Sequence, residues 1–129
     1  MTKVTDDGEG PPRIRDGGAV REVLDRVGDK WSLLVIGTLR SGPLRFGELV
    51  RAAGISQRML TLTLTRLVED GLVTRTAYAE VPPRVEYELT ELGRSLVPLV
   101  LALAEWAMAN HERINAHRQR TQAGRPAPA

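Results

Sequence analysis

A mainly α-helical domain with one small β-hairpin is what this sequence predicts, on three observations. Apolar residues recur at helical spacing through successive segments from Ala19 to His117. Only two short stretches, on either side of Pro82-Pro83, alternate in the manner of strands. The chain breakers Gly28, Gly42-Pro43, Gly54 and Gly71 fall between these segments.

The chain has 129 residues, enough for one core and too few for two. Residues 1–17 carry no apolar period and are expected to be a disordered tail. A single domain is expected over residues 18–117, followed by a second solvated tail over 118–129. Eighteen Lys and Arg face sixteen Asp and Glu, a net charge of +2 that says little by itself. The distribution says more: from Arg40 to Arg66 five arginines face a single carboxylate, Glu48. A local excess larger than that of the whole chain points to a polyanionic partner.

No cysteine is present, which excludes a disulfide framework, a zinc–thiolate site and a thiol redox switch in this chain. The first eighteen residues are too polar for a signal segment. The most apolar run, Leu96 to Ala109, is read as short of a membrane span and contains Glu105. A soluble, cytoplasmic protein with no membrane partner is the expectation.

Ala19 to Val27 sets Ala19 or Val20, Val23, Leu24 and Val27 on one face of a short helix that Gly28 interrupts. Lys30 to Arg40 is apolar nearly all round, so this helix belongs in the middle of the domain. Trp31 reads as a core anchor in its first turn, with ligand stacking as the alternative. Leu44 to Ala53 gives a third helix with Phe46, Leu49 and Val50 inward.

The turn Gly54-Ile55-Ser56 then opens the segment around which the chain is organised. Ser56 is a good N-cap, because its hydroxyl can accept from a backbone N–H in the first turn. Leu60, Leu64, Leu67 and Val68 form the apolar back. Arg58, Leu62, Thr65 and Arg66 lie in front, with Gln57 and Thr61 beside them and no carboxylate among them. Two helices joined by a tight glycine turn outline a helix-turn-helix, and such a front fits the major groove of DNA. An ordinary surface helix is the plainer alternative.

Leu72 to Tyr78 and Arg84 to Leu89 make a hairpin around the loop Ala79–Pro83. A hairpin directly after a recognition helix is a wing, so the predicted fold is a winged helix-turn-helix. The recognition helix would span about 56–70 and the wing about 72–89. Arg75 and Arg84 are the phosphate-reaching candidates on the wing, lying along the backbone or minor groove. Arg45 and Arg51 are further candidates for phosphate neutralisation, and Ser56, Gln57, Arg58, Thr61 and Thr65 for contacts with bases or flanking phosphates. Arg58 is the first choice for a base contact. Leu62 would pack on a thymine methyl or face the neighbouring helix.

Thr90 should cap a last helix running to about His117, with a bend near Arg94 caused by Pro98. Leu92, Leu96, Leu99, Leu103 and Trp106 follow a seam spacing, and Val97, Val100, Leu101, Ala104 and Met108 add a second apolar face. One small domain does not easily cover both, so a second copy of the chain is expected against the surplus. The alternative is one broad face packed on the protomer's own core. His111 and His117, six apart on a helix, are poorly spaced to share a metal. No nucleophile–base pair or phosphate loop stands out, so no enzyme, cofactor or metal is expected.

Several motifs together resemble HxlR-type winged-helix transcription regulators, over about residues 18 to 110. They are Gly28-Asp29-Lys30-Trp31-Ser32-Leu33-Leu34, Gly42-Pro43-Leu44-Arg45-Phe46-Gly47-Glu48-Leu49 and Gly54-Ile55-Ser56-Gln57-Arg58-Met59-Leu60-Thr61. Leu67-Val68-Glu69-Asp70-Gly71-Leu72-Val73, Pro82-Pro83-Arg84-Val85-Glu86-Tyr87 and Leu89-Thr90-Glu91-Leu92-Gly93 follow in order. The resemblance implies a homodimeric bacterial regulator of double-stranded DNA, dimerised through its first and last helices. Val20, Val23, Leu24, Leu96, Val100, Leu103 and Trp106 are the interface candidates. Two departures stand out. Some members carry a sensing cysteine ahead of the first helix, where this chain reads Arg15-Asp16-Gly17-Gly18-Ala19. The family also tends to polar amides near Leu62 and Thr63. Any small-molecule effector would therefore bind non-covalently, with Trp31, Trp106 and Met108 as candidate lining. A winged-helix module that binds protein rather than DNA is the rival function.

Overall fold

The computed structural model describes residues 16–124. The tail residues 1–15 and 125–129 therefore lie outside the described part of the chain. The first helix, α1, covers Gly17–Val27 and so begins within the expected tail; the Asp16 carboxylate accepts from the Ala19 N–H at 3.4 Å. Gly28 ends it, and a Cβ there would meet the Leu24 carbonyl oxygen at 2.6 Å. Helix α2, Lys30–Thr38, starts at Asp29, whose carboxylate accepts from both the backbone N–H and the hydroxyl of Ser32 at 2.9 Å. Ser32, Val35, Ile36 and Gly37 are buried, and α2 packs against α3, α4 and α6. It is the central helix, as its all-round apolar character requires. Trp31 is half-buried against that core, with the Lys30 ammonium 4.7 Å from its ring centre.

A 3-10 turn, Leu39–Ser41, leads to β1, Leu44–Arg45. These two residues were expected to start the third helix. They instead pair with β3 (Arg84–Leu89), Leu44 opposite Tyr87 and Arg45 opposite Glu86. Two residues are too few to show an alternation, and the demand they meet, the unpaired edge of a distant strand, is not local. Helix α3 is therefore Phe46–Ala53, with the Glu48 carboxylate accepting from the Arg45 N–H at 2.7 Å. Gly54 adopts the left-handed conformation, φ 64°, that turns the chain into α4, Gln57–Glu69.

Helix α4 inserts Leu60, Thr63, Leu64 and Leu67 into the core. Val68, expected inward, is exposed at the edge of that face. β2 (Val73–Tyr78) and β3 make the hairpin and complete an antiparallel sheet in the order β1-β3-β2. Only Val73 and Leu89 at its base are buried, so the hairpin projects from the body.

The last helix differs from expectation. Thr90 caps only the short α5, Glu91–Arg94, accepting from the Gly93 N–H at 3.0 Å. A Cβ at Gly93 would come within 2.1 Å of the Leu72 carbonyl oxygen, so only glycine allows this approach. The chain restarts as α6, Val97–Ala123, with Pro98 in its first turn. There the missing N–H has no intrahelical acceptor to lose, so Pro98 starts a helix rather than bending one. α6 also runs past His117 to Ala123, through residues expected to be solvated tail. By length and composition alone, Glu91–Ala123 is long enough to cross a membrane, contrary to the shorter run read from the sequence.

Candidate nucleic-acid interface

Ser56 caps α4 as its position implies, its Oγ accepting from the Met59 N–H at 3.1 Å. Gln57, Arg58, Thr61, Leu62 and Thr65 are exposed together on the solvent side of the helix. The side chains of Gln57 and Arg58 bond to nothing among the described residues. The threonine hydroxyls are engaged: Thr61 donates to the Gln57 carbonyl at 2.9 Å and Thr65 to the Thr61 carbonyl at 2.8 Å. Their protons are thus committed to the helix, and what remains toward solvent is acceptor capacity.

Arg66 does not belong to that front. Its guanidinium turns back to Asp29 at 2.7 Å, beside the Ser32 hydroxyl at 3.5 Å. Partial burial raises the Asp29 pKa, but hydrogen bonds from Ser32 and the charge of Arg66 outweigh it, and the carboxyl sits below its ordinary value. A second pair, Arg26 with Asp70 at 2.8 Å, joins α1 to the end of α4. Exposed pairs of this kind contribute little to stability, about 0–1 kcal/mol. They do fix how the two helices are turned toward each other. Sequence reasoning missed both pairs, because their partners lie far apart along the chain.

Arg45 and Arg51 are exposed on β1 and α3. Arg75, on β2, lies in a groove of about 380 Å³ between α4 and the sheet, with Thr61, Thr65 and Tyr87 among its neighbours. It is therefore continuous with the front of α4. Arg84 differs from the other arginines. Its Nη2 and Nε donate to Glu80 at 2.7 and 3.2 Å, its Nη1 donates to Glu86 at 2.7 Å, and its plane stacks on the Tyr78 ring at 3.8 Å. A phosphate could reach it only by exchange with one of those carboxylates. No local signal announces the cluster, since the Glu80–Arg84 spacing lies across a loop rather than along a helix.

The interface candidates divide. Val20, Val23 and Leu24 on α1 and Leu103 and Trp106 on α6 are exposed. Leu96 and Val100, expected on the same seam, are half-buried against the protomer's own core, where Val100 approaches Gly37. Trp31, Trp106 and Met108 do not line one pocket. Met108 lines a groove of about 490 Å³ between α2 and α6. Trp106, two residues earlier and so about 200° round the helix, faces away. Trp31 lines neither groove. Among the described residues there is no cluster of three or more metal-binding side chains.

A family model described as HxlR-like helix-turn-helix matches residues 26–115. A protein of the archaeon Methanothermobacter thermautotrophicus called an uncharacterized HTH-type transcriptional regulator is 51% identical over 89 residues, 68% of each chain. The uncharacterized HTH-type transcriptional regulator YybR of Bacillus subtilis is 43% identical over 105 residues, 81% of this chain and 84% of its own. The family is thus not confined to bacteria. Among solved structures, that of the redox regulator HypR in its reduced form matches with a TM-score of 0.70 at 43% identity, covering 76% of this chain and 98% of that one.

Proposed function

This chain belongs to the HxlR-like helix-turn-helix family of transcriptional regulators rather than to any family of enzymes, and from that premise we propose that it binds double-stranded DNA sequence-specifically as a homodimer. One observation carries the reading. The solvent front of α4 holds Gln57 and Arg58 with no intramolecular partner among the described residues, and the helix's one carboxylate, Glu69, stands at its far end, in the groove with Arg75. Residues 56–70 would lie in the major groove and the wing, 72–89, along the backbone or minor groove.

Arg58 is the base-reading residue in this account, bidentate to guanine. Thr61 and Thr65, with their protons already given to the helix, would accept from base amino groups rather than donate to phosphates. Arg45, Arg51 and Arg75 would neutralise phosphates, and Ser56 keeps α4 capped beside them. Leu62, exposed on the same face, suits a thymine methyl. Two copies joined through α1 and α6 would set the reading helices about 34 Å apart on a palindromic operator. That pairing would also cover the exposed leucines of α6, the alternative to a membrane for so apolar a helix. A regulator of this kind would act in the cytoplasm, and the proposed domain is residues 18–117.

HypR is called a redox regulator; this chain has no cysteine, so an effector would act without a thiol. The groove beside Met108 is the candidate site, and a ligand there would act by changing the separation of the two reading helices.

The test is duplex binding against salt, then footprinting on selected operators. Arg58→Ala should cost about 1–3 kcal/mol of discrimination at one base pair while leaving random-duplex affinity much less affected. Unchanged operator preference would remove Arg58 from its role. A chain without affinity for any duplex would favour the protein-binding module instead.

A further inference from the structure

We infer that Glu80 is an internal stand-in for a DNA phosphate: it holds Arg84 in reserve, and the wing engages the duplex by exchanging that carboxylate for a backbone phosphate oxygen. This rests on the DNA-binding reading above and specifies which residue governs how firmly the wing holds any duplex.

The geometry of the pair is the first support. Arg84 offers Nε and Nη2 side by side to the two oxygens of Glu80, at 3.2 and 2.7 Å. That two-pronged arrangement is the one by which arginine grips a phosphate. The second support is an asymmetry between the two carboxylates. Glu86 belongs to β3, is 22% exposed and also faces the Tyr78 hydroxyl at 3.5 Å. Glu80 stands in the loop at the hairpin tip and is 48% exposed. Displacing Glu80 would leave Arg84 still oriented by Glu86 on one edge and by the Tyr78 ring on its face. The vacated N–H groups would then point where the carboxylate had been.

Charge supplies the third support. Along Leu72–Leu89 the arginines 75 and 84 face three carboxylates, Glu80, Glu86 and Glu88. Such a wing meets a phosphate backbone with a net negative charge unless one carboxylate withdraws. Glu80, about half exposed in the loop, can turn into solvent. Its pKa is lowered chiefly by the hydrogen bond with Arg84. The exchange replaces one ion pair by another, so the wing adds little to affinity for arbitrary duplex, and discrimination stays with α4.

Glu80→Gln in the full chain, measured on a selected operator and on random duplex between 50 and 200 mM salt, tests this. Binding to both should tighten by roughly three- to ten-fold, and the salt slope should steepen by about 0.9, because Arg84 then meets the phosphate without freeing a carboxylate that takes up a cation. Glu80→Ala should act alike and guards against an effect peculiar to the amide. Glu88→Gln removes a wing carboxylate that pairs with Arg94 rather than Arg84 and should leave the slope unchanged. In an Arg84→Ala background the gain from Glu80→Gln should vanish. A gain that persists there is a general field effect and overturns the inference, as does an unchanged or weakened Glu80→Gln. If the wild-type chain binds no duplex, the proposed function fails together with this inference. If it binds and only the Glu80 variants stay unchanged, this inference alone fails.

Discussion

Helices α4 and α6 expose opposite kinds of surface. α4, with 13 residues, buries Leu60, Leu64 and Leu67 and leaves an amide, an arginine and two threonines outside with Leu62. α6, with 27 residues, buries none fully and leaves Leu99, Leu103, Trp106 and Met108 in solvent. A fully buried leucine contributes about 1.5–3 kcal/mol relative to an exposed one. α4 has realised that within its own protomer, and so its position is set by the fold of one chain. α6 has not, and in the proposed dimer a second copy would complete its apolar surface. The proposed reading element is thus finished locally, while the spacing between two such elements would be left to association.

The largest expected effect breaks the second half of that contrast. Leu103 is 53% exposed, at the edge of the groove between α2 and α6. Leu103→Glu should dissociate the dimer in light scattering while far-UV circular dichroism keeps its helical signal. Affinity for a two-half-site operator should then fall by about 10²–10⁴, the advantage that linkage gives a second site. Loss of the fold, or an unchanged operator affinity, would mean that α6 serves the protomer as α4 does.

The same substitution on both helices sharpens the comparison. Leu60→Ala removes a side chain with no exposure and should cost the monomer about 2–5 kcal/mol in urea unfolding. Leu99→Ala, at 66% exposure, should stay within about 0.5 kcal/mol when both are measured in the Leu103→Glu monomer. Equal costs would erase the distinction.

The two helices were also unequally legible. The Ser56 cap, the leucine spacing of α4 and the glycine turn before it are all local, and each stands where the sequence places it. So does the wing strand Arg84–Leu89, whose alternation is equally local. In α6 the apolar pattern was visible, but its division was not. Leu96 and Val100 turn to the core, Leu103 lines the groove beside α2 and Trp106 faces away, a choice made by where α2 lies. Pro98 gave a bend where the structure has a new helix, because the break depends on Gly93 closing onto Leu72. The pairs that engage Arg66 and Arg84, and the two-residue strand at Leu44, likewise need partners from elsewhere in the chain.

The smallest expected effect lies within α4 itself. Thr61, Thr63 and Thr65 are each two residues apart, so Thr63 falls on the side opposite the other two. Thr61 and Thr65 satisfy their hydroxyls on the carbonyls of Gln57 and Thr61. Thr63 is 1% exposed, and its Oγ1 has no hydrogen-bond partner. A buried hydroxyl left unpaired costs about 1–3 kcal/mol, and valine offers the same branched shape without it. Thr63→Val should therefore raise stability by about 1 kcal/mol, shifting the urea midpoint upward with no change in slope. Operator affinity should not move, since nothing on the solvent face has changed. A loss of stability would show that the hydroxyl has found an acceptor inside, and that the back of α4 is not the purely apolar surface that sets it apart from its front.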